Sequence, residues 1–171
     1  IAGASRDQKL AATMTPAVKA LDALGLPYRL MEYPAHSNDG RDIGIAAARA
    51  LGLPLACVFK TLIAELADGE LVVAMIPVAE KLNLKQLARA AGSKSASLAE
   101  PKAAERATGY VTGGISPLGQ KRRHRTFLAS EATGLEKIYV SAGKRGLELE
   151  LQPADLERAT DATVCQLLAH L

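Results

Sequence analysis

The sequence predicts a mixed α/β (α+β) fold in which a largely antiparallel sheet is surrounded by helices. An Asp-Gly turn at 67–69 separates two β-rich runs, 57–66 and 70–76, which is the pattern of a β-hairpin. The other helical and strand-like segments follow one another without regular alternation. A parallel sheet built from βαβ units requires that alternation, so a mixed sheet is favoured.

Helix boundaries are predicted from capping residues. Thr15 and Pro16 begin a helix that Gly25 ends, and Asn83 caps a helix that Gly92 ends. Further helices are expected at 43–51, up to about 108 after a capping-box spacing at 97–100, and from 153 onward. Short strands are expected at 28–33, 126–129, 138–140 and 147–151, and polar or glycine-rich loops at 36–41 and 109–119.

Length and composition indicate one domain. The chain has 171 residues, 49% of them apolar, which suffices for a single hydrophobic core. Residues 1–13 are expected to form a flexible N-terminal extension, and residues 14–171 the domain itself. Aromatic residues make up only 4% of the chain, so Ala, Leu and Val must fill most of the core.

Several functional classes are not indicated by the sequence. No apolar run approaches the roughly 18 residues of a membrane helix, and no secretion leader is recognisable. Cys57 and Cys165 lie far apart, which favours free thiols in a reducing cytoplasm. The histidines are scattered at 36, 124 and 170, so neither a metal site nor a cofactor is predicted.

Lys60 is a candidate site residue because it interrupts an apolar strand. Alternation along the strand puts it on the same face as Val58 and Leu62. Partial burial there lowers the pKa of a lysine, and its ammonium can hold a carbonyl, carboxylate or phosphate. The alternative is an edge-strand lysine that reaches into water and prevents aggregation. The residues by themselves leave both interpretations open.

The glycine-rich stretch 113–119 (GGISPLG) is a second candidate. It is not a P-loop, because Gln120 and Lys121 stand where Lys and Ser/Thr are required and Pro117 removes a backbone donor. Its glycines favour positive φ angles and a close approach of the backbone to a ligand. Glu148, on a later strand, is either an acidic site residue or a solvent-facing charge.

Positive charge is concentrated in one run, although the net charge is only +3. The run directly follows the glycine-rich stretch and consists of Lys121, Arg122, Arg123 and Arg125. Such a run is commonly a solvated surface, but its position favours a contact with phosphates.

Several of these segments together resemble the YbaK family of aminoacyl-tRNA deacylases. The matching stretches are MTPAVK at 14–19, VFKTL at 58–62, PVA at 77–79, LNLK at 82–85, TGY at 108–110, GGISPLGQK at 113–121 and VSAGKRGL at 140–147. The resemblance covers almost the whole chain from about residue 14. It implies the editing-domain fold of this family and of prolyl-tRNA synthetase, a mixed sheet partly closed into a barrel-like core and flanked by helices.

The resemblance also implies site residues at matching positions. Lys60 corresponds to the essential lysine of the family, and Gly113 and Gly114 to the glycine loop that faces the scissile ester. Tyr33 and Ser141 correspond to a tyrosine and a serine of the substrate pocket.

Two pocket positions depart from the family pattern. Glu148 stands where the family has an aspartate, and Ile43 stands where a phenylalanine is typical. Both changes affect the pocket wall, and therefore the side-chain preference.

The implied activity is hydrolysis of mischarged aminoacyl-tRNA in trans, with cysteine on tRNA(Pro), and also on tRNA(Cys), as the substrate. The substrate thiol attacks its own carbonyl and expels the ribose hydroxyl. In this hypothesis Lys60 anchors the substrate, the glycine loop donates to the oxyanion, and Ser141 and Glu148 orient the α-ammonium. The basic run contacts the acceptor stem, and tRNA selection is borrowed from a partner, notably prolyl-tRNA synthetase.

Two alternatives remain. One is a deacylase of the Ala-tRNA(Pro) type that uses a bound water as nucleophile. The other is a non-catalytic module that binds tRNA or a synthetase, although such a module would not need both Lys60 and the glycine loop. A general esterase is disfavoured because no G-x-S-x-G nucleophile elbow is present.

Overall fold

The computed structural model of the chain describes residues 5, 13–35 and 43–169. Its helices in that part of the chain are α1 (Pro16–Leu24), α2 (Ile43–Leu51), α3 (Leu84–Ala91), α4 (Pro101–Thr108) and α5 (Pro153–Thr160). Its strands are β1 (Arg29–Glu32), β2 (Phe59–Leu66), β3 (Leu71–Pro77), β4 (Ala96–Leu98), β5 (Thr126–Ala129), β6 (Ile138–Ser141), β7 (Leu147–Leu151) and β8 (Thr163–Cys165).

The strands form two sheets. The smaller sheet has the order β1-β7-β6 and is antiparallel throughout. The larger sheet has the order β4-β2-β3-β5-β8. Strand β2 is antiparallel to its neighbours β3 and β4, and β5 is parallel to its neighbours β3 and β8. The predicted mixed, largely antiparallel architecture is confirmed. The described strands do not close into one barrel, and the sheets meet at a parallel bridge between Val58 and Tyr139.

The core lies around β3, the middle strand of the larger sheet. Residues 72–76 of this strand are completely buried. Helix α1 packs Val18 and Leu21 into the same core, and Phe59 and Phe127 are its buried phenylalanines. Leu, Val and Ala supply most of the remaining core side chains, as the scarcity of aromatic residues predicts.

The helix caps form as predicted at two helices and differ at a third. The side chain of Thr15 accepts a hydrogen bond from the Val18 N–H, and that of Asn83 accepts one from the Gln86 N–H at 3.1 Å. The capping box expected at 97–100 is wrong, because residues 96–98 pair with β2 as strand β4. Glu100 precedes α4 without a side-chain capping bond.

Other differences concern short segments. Strand β2 begins at Phe59 because Leu55–Cys57 forms a 3-10 turn. The strands β4 and β8 are not predicted by the sequence, since three residues give no measurable periodicity. The loop at 36–41, with His36, lies outside the described residues, as do His170 and most of the N-terminal extension. None of the described helices is long and apolar enough to cross a membrane.

Candidate active site

A cleft of about 430 Å³ lies where the two sheets meet. Its walls are β2, the ends of β6 and β7, the start of α2, the glycine loop, and the segment that joins β4 to α4. The volume is in the range of small-ligand pockets. These walls come from segments that are distant in sequence, so the cleft exists only in the folded chain.

The cleft brings together five of the seven predicted catalytic and substrate-binding residues. Its lining includes Ile43, Lys60, Gly113, Ser141 and Glu148. The remaining two lie next to it. Gly114 follows Gly113 in the glycine loop and is buried, and Tyr33 lines a smaller adjoining pocket that shares Ile43 with the cleft. The residues that the family resemblance assigns to one site therefore also lie close together in space.

Lys60 is half-buried and lines this cleft. It pairs with Ile76 of β3, whereas β4 covers the other side of β2 only from Ala64 to Leu66. Beside Lys60 that side of β2 faces the smaller sheet, through the bridge from Val58 to Tyr139. Lys60 therefore lies on an inner strand at the junction of the sheets, which favours the site interpretation over an edge-strand lysine.

The first half of the glycine loop faces the cleft. Gly113 has a φ of 90°, and a Cβ added there would lie 2.5 Å from Ile43 Cδ1 and 2.7 Å from Arg145 Nε. Arg145 reaches the same loop by donating a hydrogen bond to the carbonyl of Thr112 at 3.4 Å. Only glycine leaves room for both side chains against this stretch of backbone.

Gly114 makes a different contact. A Cβ there would lie 3.1 Å from the Arg145 nitrogen and 3.2 Å from the Lys144 Cα, which are backbone atoms of the β6–β7 turn. The Gly114 N–H donates to the carbonyl of Val111 at 2.9 Å. Gly114 therefore has a packing role, and Gly113 is the glycine whose backbone can be offered to a substrate.

The second half of the loop belongs to the core. Ser116, Pro117 and Leu118 are buried. The Tyr110 hydroxyl donates to the carbonyl of Leu118 at 2.6 Å, and the Gln120 amide donates to the carbonyl of Ser116 at 3.0 Å. These bonds hold the loop rigidly, so that Gly113 keeps its position in the cleft wall.

Glu148 is a buried carboxyl group at the polar side of the cleft. It lies on β7 between Met31 of β1 and Ser141 of β6, and is only 5% exposed. Its Oε2 has no hydrogen-bond partner among the described residues. Burial raises the pKa of this carboxyl to about 8. The interpretation as a solvent-facing charge is therefore wrong, and an unsatisfied buried oxygen in a cleft indicates a place for a ligand.

Two neighbours extend the polar side. The pKa of the Tyr33 hydroxyl is raised, chiefly by burial; the charge of Glu148 also raises it, and the charge of Arg145 opposes it. Ser141 Oγ accepts a hydrogen bond from the Gly143 N–H at 3.1 Å, which leaves its proton available to a ligand. Tyr33, Glu148 and Arg145 thus interact electrostatically, and Ser141 lies opposite Glu148 on the neighbouring strand.

Sequence reasoning missed Arg145 and Thr61 as site residues. Arg145 belongs to a short basic pair with Lys144, and its place within the matched stretch 140–147 is a usable signal. Thr61 lines the cleft, and its buried Oγ1 has no hydrogen-bond partner among the described residues. A hydroxyl beside Lys60 in an apolar strand is the available signal for it.

The basic run lies away from the cleft. Arg122, Arg123 and Arg125 border shallow depressions of about 440 and 420 Å³ around His124. Arg125 is held by Glu70 through hydrogen bonds of 2.8 and 3.0 Å, and it also donates to a backbone carbonyl of α3. Burial lowers the pKa of His124. Lys121, Arg122 and Arg123 are exposed, and Arg123 lies 3.6 Å from the carboxylate of Asp161.

Within the described residues, no group of three or more His, Cys, Asp or Glu side chains is arranged to hold a metal ion.

Solved structures place the chain in the editing-domain class of folds. A crystal structure of a “putative trans-editing enzyme for prolyl tRNA synthetase” superposes with a TM-score of 0.81 at 21% identity, covering 98% of this chain and 100% of that one. A crystal structure of a hypothetical protein superposes with a TM-score of 0.82 at 25% identity, covering 91% of this chain and 100% of that one. The expected fold type is confirmed by these superpositions.

Sequence comparisons identify the family. The family model described as “Aminoacyl-tRNA editing domain” matches residues 38–159. A protein of Enterococcus faecalis named “Putative Cys-tRNA(Pro)/Cys-tRNA(Cys) deacylase EbsC” is 37% identical over 153 residues, which cover 90% of this chain and 92% of that protein. The chain belongs to the aminoacyl-tRNA editing domain family. Editing of mischarged aminoacyl-tRNA by deacylation, the class of activity implied by the sequence, is thereby confirmed.

Replacing Gly113 by alanine should impair deacylation more than it impairs folding. The added Cβ meets only the mobile ends of Ile43 and Arg145, so they move and deform the cleft. Gly69→Ala is the control, because Gly69 has nearly the same φ of 92° and no atom within 4 Å of its Cβ position. Both variants should lose about 1–3 kcal/mol of unfolding free energy in urea titrations. Only Gly113→Ala should lose at least tenfold in the deacylation rate; equal activity of the two variants would contradict a role for Gly113 in the site.

Glu148 should make folding stability depend on pH. The ordinary pKa of a glutamate is 4.5 and that of Glu148 is about 8, so between these values the folded state keeps a proton that the unfolded state releases. Its contribution to the free energy of unfolding therefore falls by roughly 3–5 kcal/mol as the pH rises through this window, and then levels off. Glu148→Gln should remove this fall in urea titrations from pH 4.5 to 9, whereas Glu65→Gln, an exposed position on β2, should not. Parallel curves for the wild type and Glu148→Gln would rule the effect out.

Proposed function

We propose that the protein is a trans-editing hydrolase that removes cysteine from tRNA(Pro), and also from tRNA(Cys). The observation that carries the proposal is the convergence of Lys60, Gly113, Ser141 and Glu148 on one cleft. The name of the Enterococcus faecalis relative, with 37% identity over most of both chains, supports the choice of substrate.

Glu148 and Ser141 are proposed to hold the α-amino group of the substrate. An α-amino group titrates at about 7.7–8.0, close to the pKa of about 8 for the buried carboxyl. At neutral pH both groups are therefore mostly protonated, so binding of the α-ammonium group releases the carboxyl proton to solvent and leaves an ammonium–carboxylate pair. The formerly unsatisfied Oε2 then accepts a charge-assisted hydrogen bond.

Lys60 and the Gly113 backbone are proposed to act on the ester. The substrate sulfur, as thiolate, forms a bond to its own carbonyl carbon, and the carbonyl oxygen becomes an oxyanion. The Lys60 ammonium and the Gly113 N–H stabilise this charge. The bond from carbon to the ribose oxygen then breaks, the ribose oxygen takes a proton from solvent, and water later opens the cyclic thioester.

This route explains why no strong protein nucleophile is needed. The ester is already activated, and a free thiol with a pKa of about 8.5 is partly ionised at neutral pH. Holding the reacting atoms in alignment contributes roughly 7–11 kcal/mol in favourable cases. Serine on the same tRNA would react far more slowly, because its hydroxyl is a much weaker nucleophile.

Binding of the tRNA body is proposed to involve the exposed basic residues Lys121, Arg122 and Arg123, with Arg125 contributing its charge from a fixed position. Because the run has only four cations, it binds tRNA weakly by itself. We therefore propose that a partner selects the tRNA, and that this partner is prolyl-tRNA synthetase in the cytoplasm. The description of the structural relative as a trans-editing enzyme for that synthetase supports this choice.

A second candidate is removal of alanine by a bound water. The observation in its favour is Thr61, a residue of the cleft lining whose buried hydroxyl has no hydrogen-bond partner among the described residues. An unsatisfied buried hydroxyl is a place where a bound water can complete the hydrogen bonding. In that case the substrate needs no thiol.

The first experiment compares deacylation of Cys-tRNA(Pro) and Ala-tRNA(Pro) by the wild type and Lys60→Ala. We expect preferential loss of cysteine, and a decrease of at least a hundredfold in Lys60→Ala, because the oxyanion loses a charged partner. Lys85→Ala, an exposed lysine on α3, should match the wild type. Hydrolysis of the alanyl ester alone would favour the bound-water mechanism. Full activity of Lys60→Ala would reject the assigned role.

The basic run should affect binding rather than amino-acid choice. Arg122→Ala/Arg123→Ala should weaken tRNA binding and make the slope of log K against log salt shallower by about 1–2, since phosphate contacts release counterions. The preference for cysteine over alanine should not change. Lys81→Ala/Lys137→Ala removes the same charge from exposed positions that do not border the depressions of the basic run, and serves as the control. An unchanged salt slope would place the tRNA on another face.

A further inference from the structure

The cleft has two chemically different ends along β2. At one end, the bridge from Val58 to Tyr139 brings the smaller sheet alongside β2. Two residues beyond the bridge, Lys60 and Ser141 both line the cleft. At the other end, the Ala99 N–H donates to the carbonyl of Ile63 at 2.9 Å, which fixes the β4–α4 segment against β2.

The far end of the cleft is apolar. The residues that line it there are Leu62, Leu98, Ala99 and Pro101, which are at least partly exposed, and Ile63 and Ala104, which are buried in the core. Leu98 is 57% exposed, although it is a large hydrophobic residue. The other exposed large hydrophobic residues of the described chain are Met14, Leu24, Leu55 and Val111, and none of them lines this cleft. An exposed apolar surface inside a binding cleft indicates a ligand part that covers it.

The size of the cleft also leaves room for a second part of the substrate. A volume of about 430 Å³ exceeds the need of an amino acid as small as cysteine. The polar groups that fit the aminoacyl part are near Lys60, three residues from Ile63. At about 3.3 Å per residue, that separation is roughly 10 Å. A ribose followed by a flat base spans this distance.

The covalent structure of the substrate decides what lies there. The ester joins the amino acid to the ribose of the 3′-terminal adenosine, so the adenine base must lie one ribose away from the reacting carbonyl. A base presents broad apolar faces that favour contact with apolar side chains. The described cleft lining contains one aromatic residue, Phe59, which is 2% exposed and belongs to the core, so aliphatic side chains are left for this contact.

We propose that Leu98, Ala99 and Pro101 form the subsite for the adenine base of the 3′-terminal nucleoside, and that this contact places the ester over Lys60. The inference rests on the proposed function, since it names the part of the same substrate that fills the apolar end. Leu98 and Pro101 are exposed and can contact a ligand, whereas Ala99 also packs against the core.

The test uses two substrates, Cys-tRNA(Pro) and cysteine ethyl ester, which carries the same ester without a nucleoside. Leu98→Ser should lower kcat/KM for Cys-tRNA(Pro) about tenfold, mainly through KM, and change ethyl ester hydrolysis less than twofold. Leu24→Ser is the matched control, since Leu24 is 51% exposed on α1 and does not line the cleft. It should leave both rates unchanged. Equal losses on both substrates, or none, in Leu98→Ser would overturn the inference.

If the protein does not hydrolyse cysteine ethyl ester, a competition experiment tests the subsite instead. Adenosine should inhibit deacylation of Cys-tRNA(Pro) by the wild type, with an inhibition constant that rises at least fivefold in Leu98→Ser and stays constant in Leu24→Ser. Identical inhibition constants in the variants would also overturn the subsite. If the wild type deacylates no aminoacyl-tRNA, both the proposed function and this inference are rejected. If the wild type is active but Leu98→Ser behaves like Leu24→Ser, only the adenine subsite is rejected.

Discussion

The close approach of the glycine loop to the β6–β7 turn is the contact on which the cleft depends. Gly114 lies so near the backbone of Lys144 and Arg145 that a Cβ would come within 3.1–3.3 Å of backbone atoms, which cannot rotate away. This contact joins the loop to the smaller sheet and holds Gly113 in the cleft wall. Gly113 in turn supports Ile43 and Arg145. One backbone contact therefore positions residues from three separate segments.

Burial of Glu148 destabilises the fold when the carboxyl is charged, and the same burial raises its pKa. A carboxyl group between two strands, with an oxygen that no described residue satisfies, destabilises the charged form of the folded protein. The same burial matches its affinity for protons to that of an amine, so an incoming α-amino group can satisfy it.

The structure separates recognition into regions with different physical characters. Near Lys60 the cleft is polar and suits an aminoacyl group, whereas beyond Ile63 it is apolar and suits a base. The basic run lies apart from both, and Arg125 is tied to Glu70 there. In the proposed function, short-range contacts select the amino acid and the terminal nucleoside, and long-range electrostatic attraction, which depends on salt, is proposed to act on the phosphates of the tRNA body.

The sequence by itself determined the features that arise from interactions between residues close together in the chain. The caps at Thr15 and Asn83 and the hairpin around 67–69 depend on residues close together in the chain, and they form as predicted. The family motifs also identified the candidate site residues. Tertiary structure alone decided the burial of Glu148, the contact of Arg145 with Gly113, and the exposure of Leu98 in the cleft. These features arise from packing between segments far apart in sequence, whose energies no local pattern of residues records.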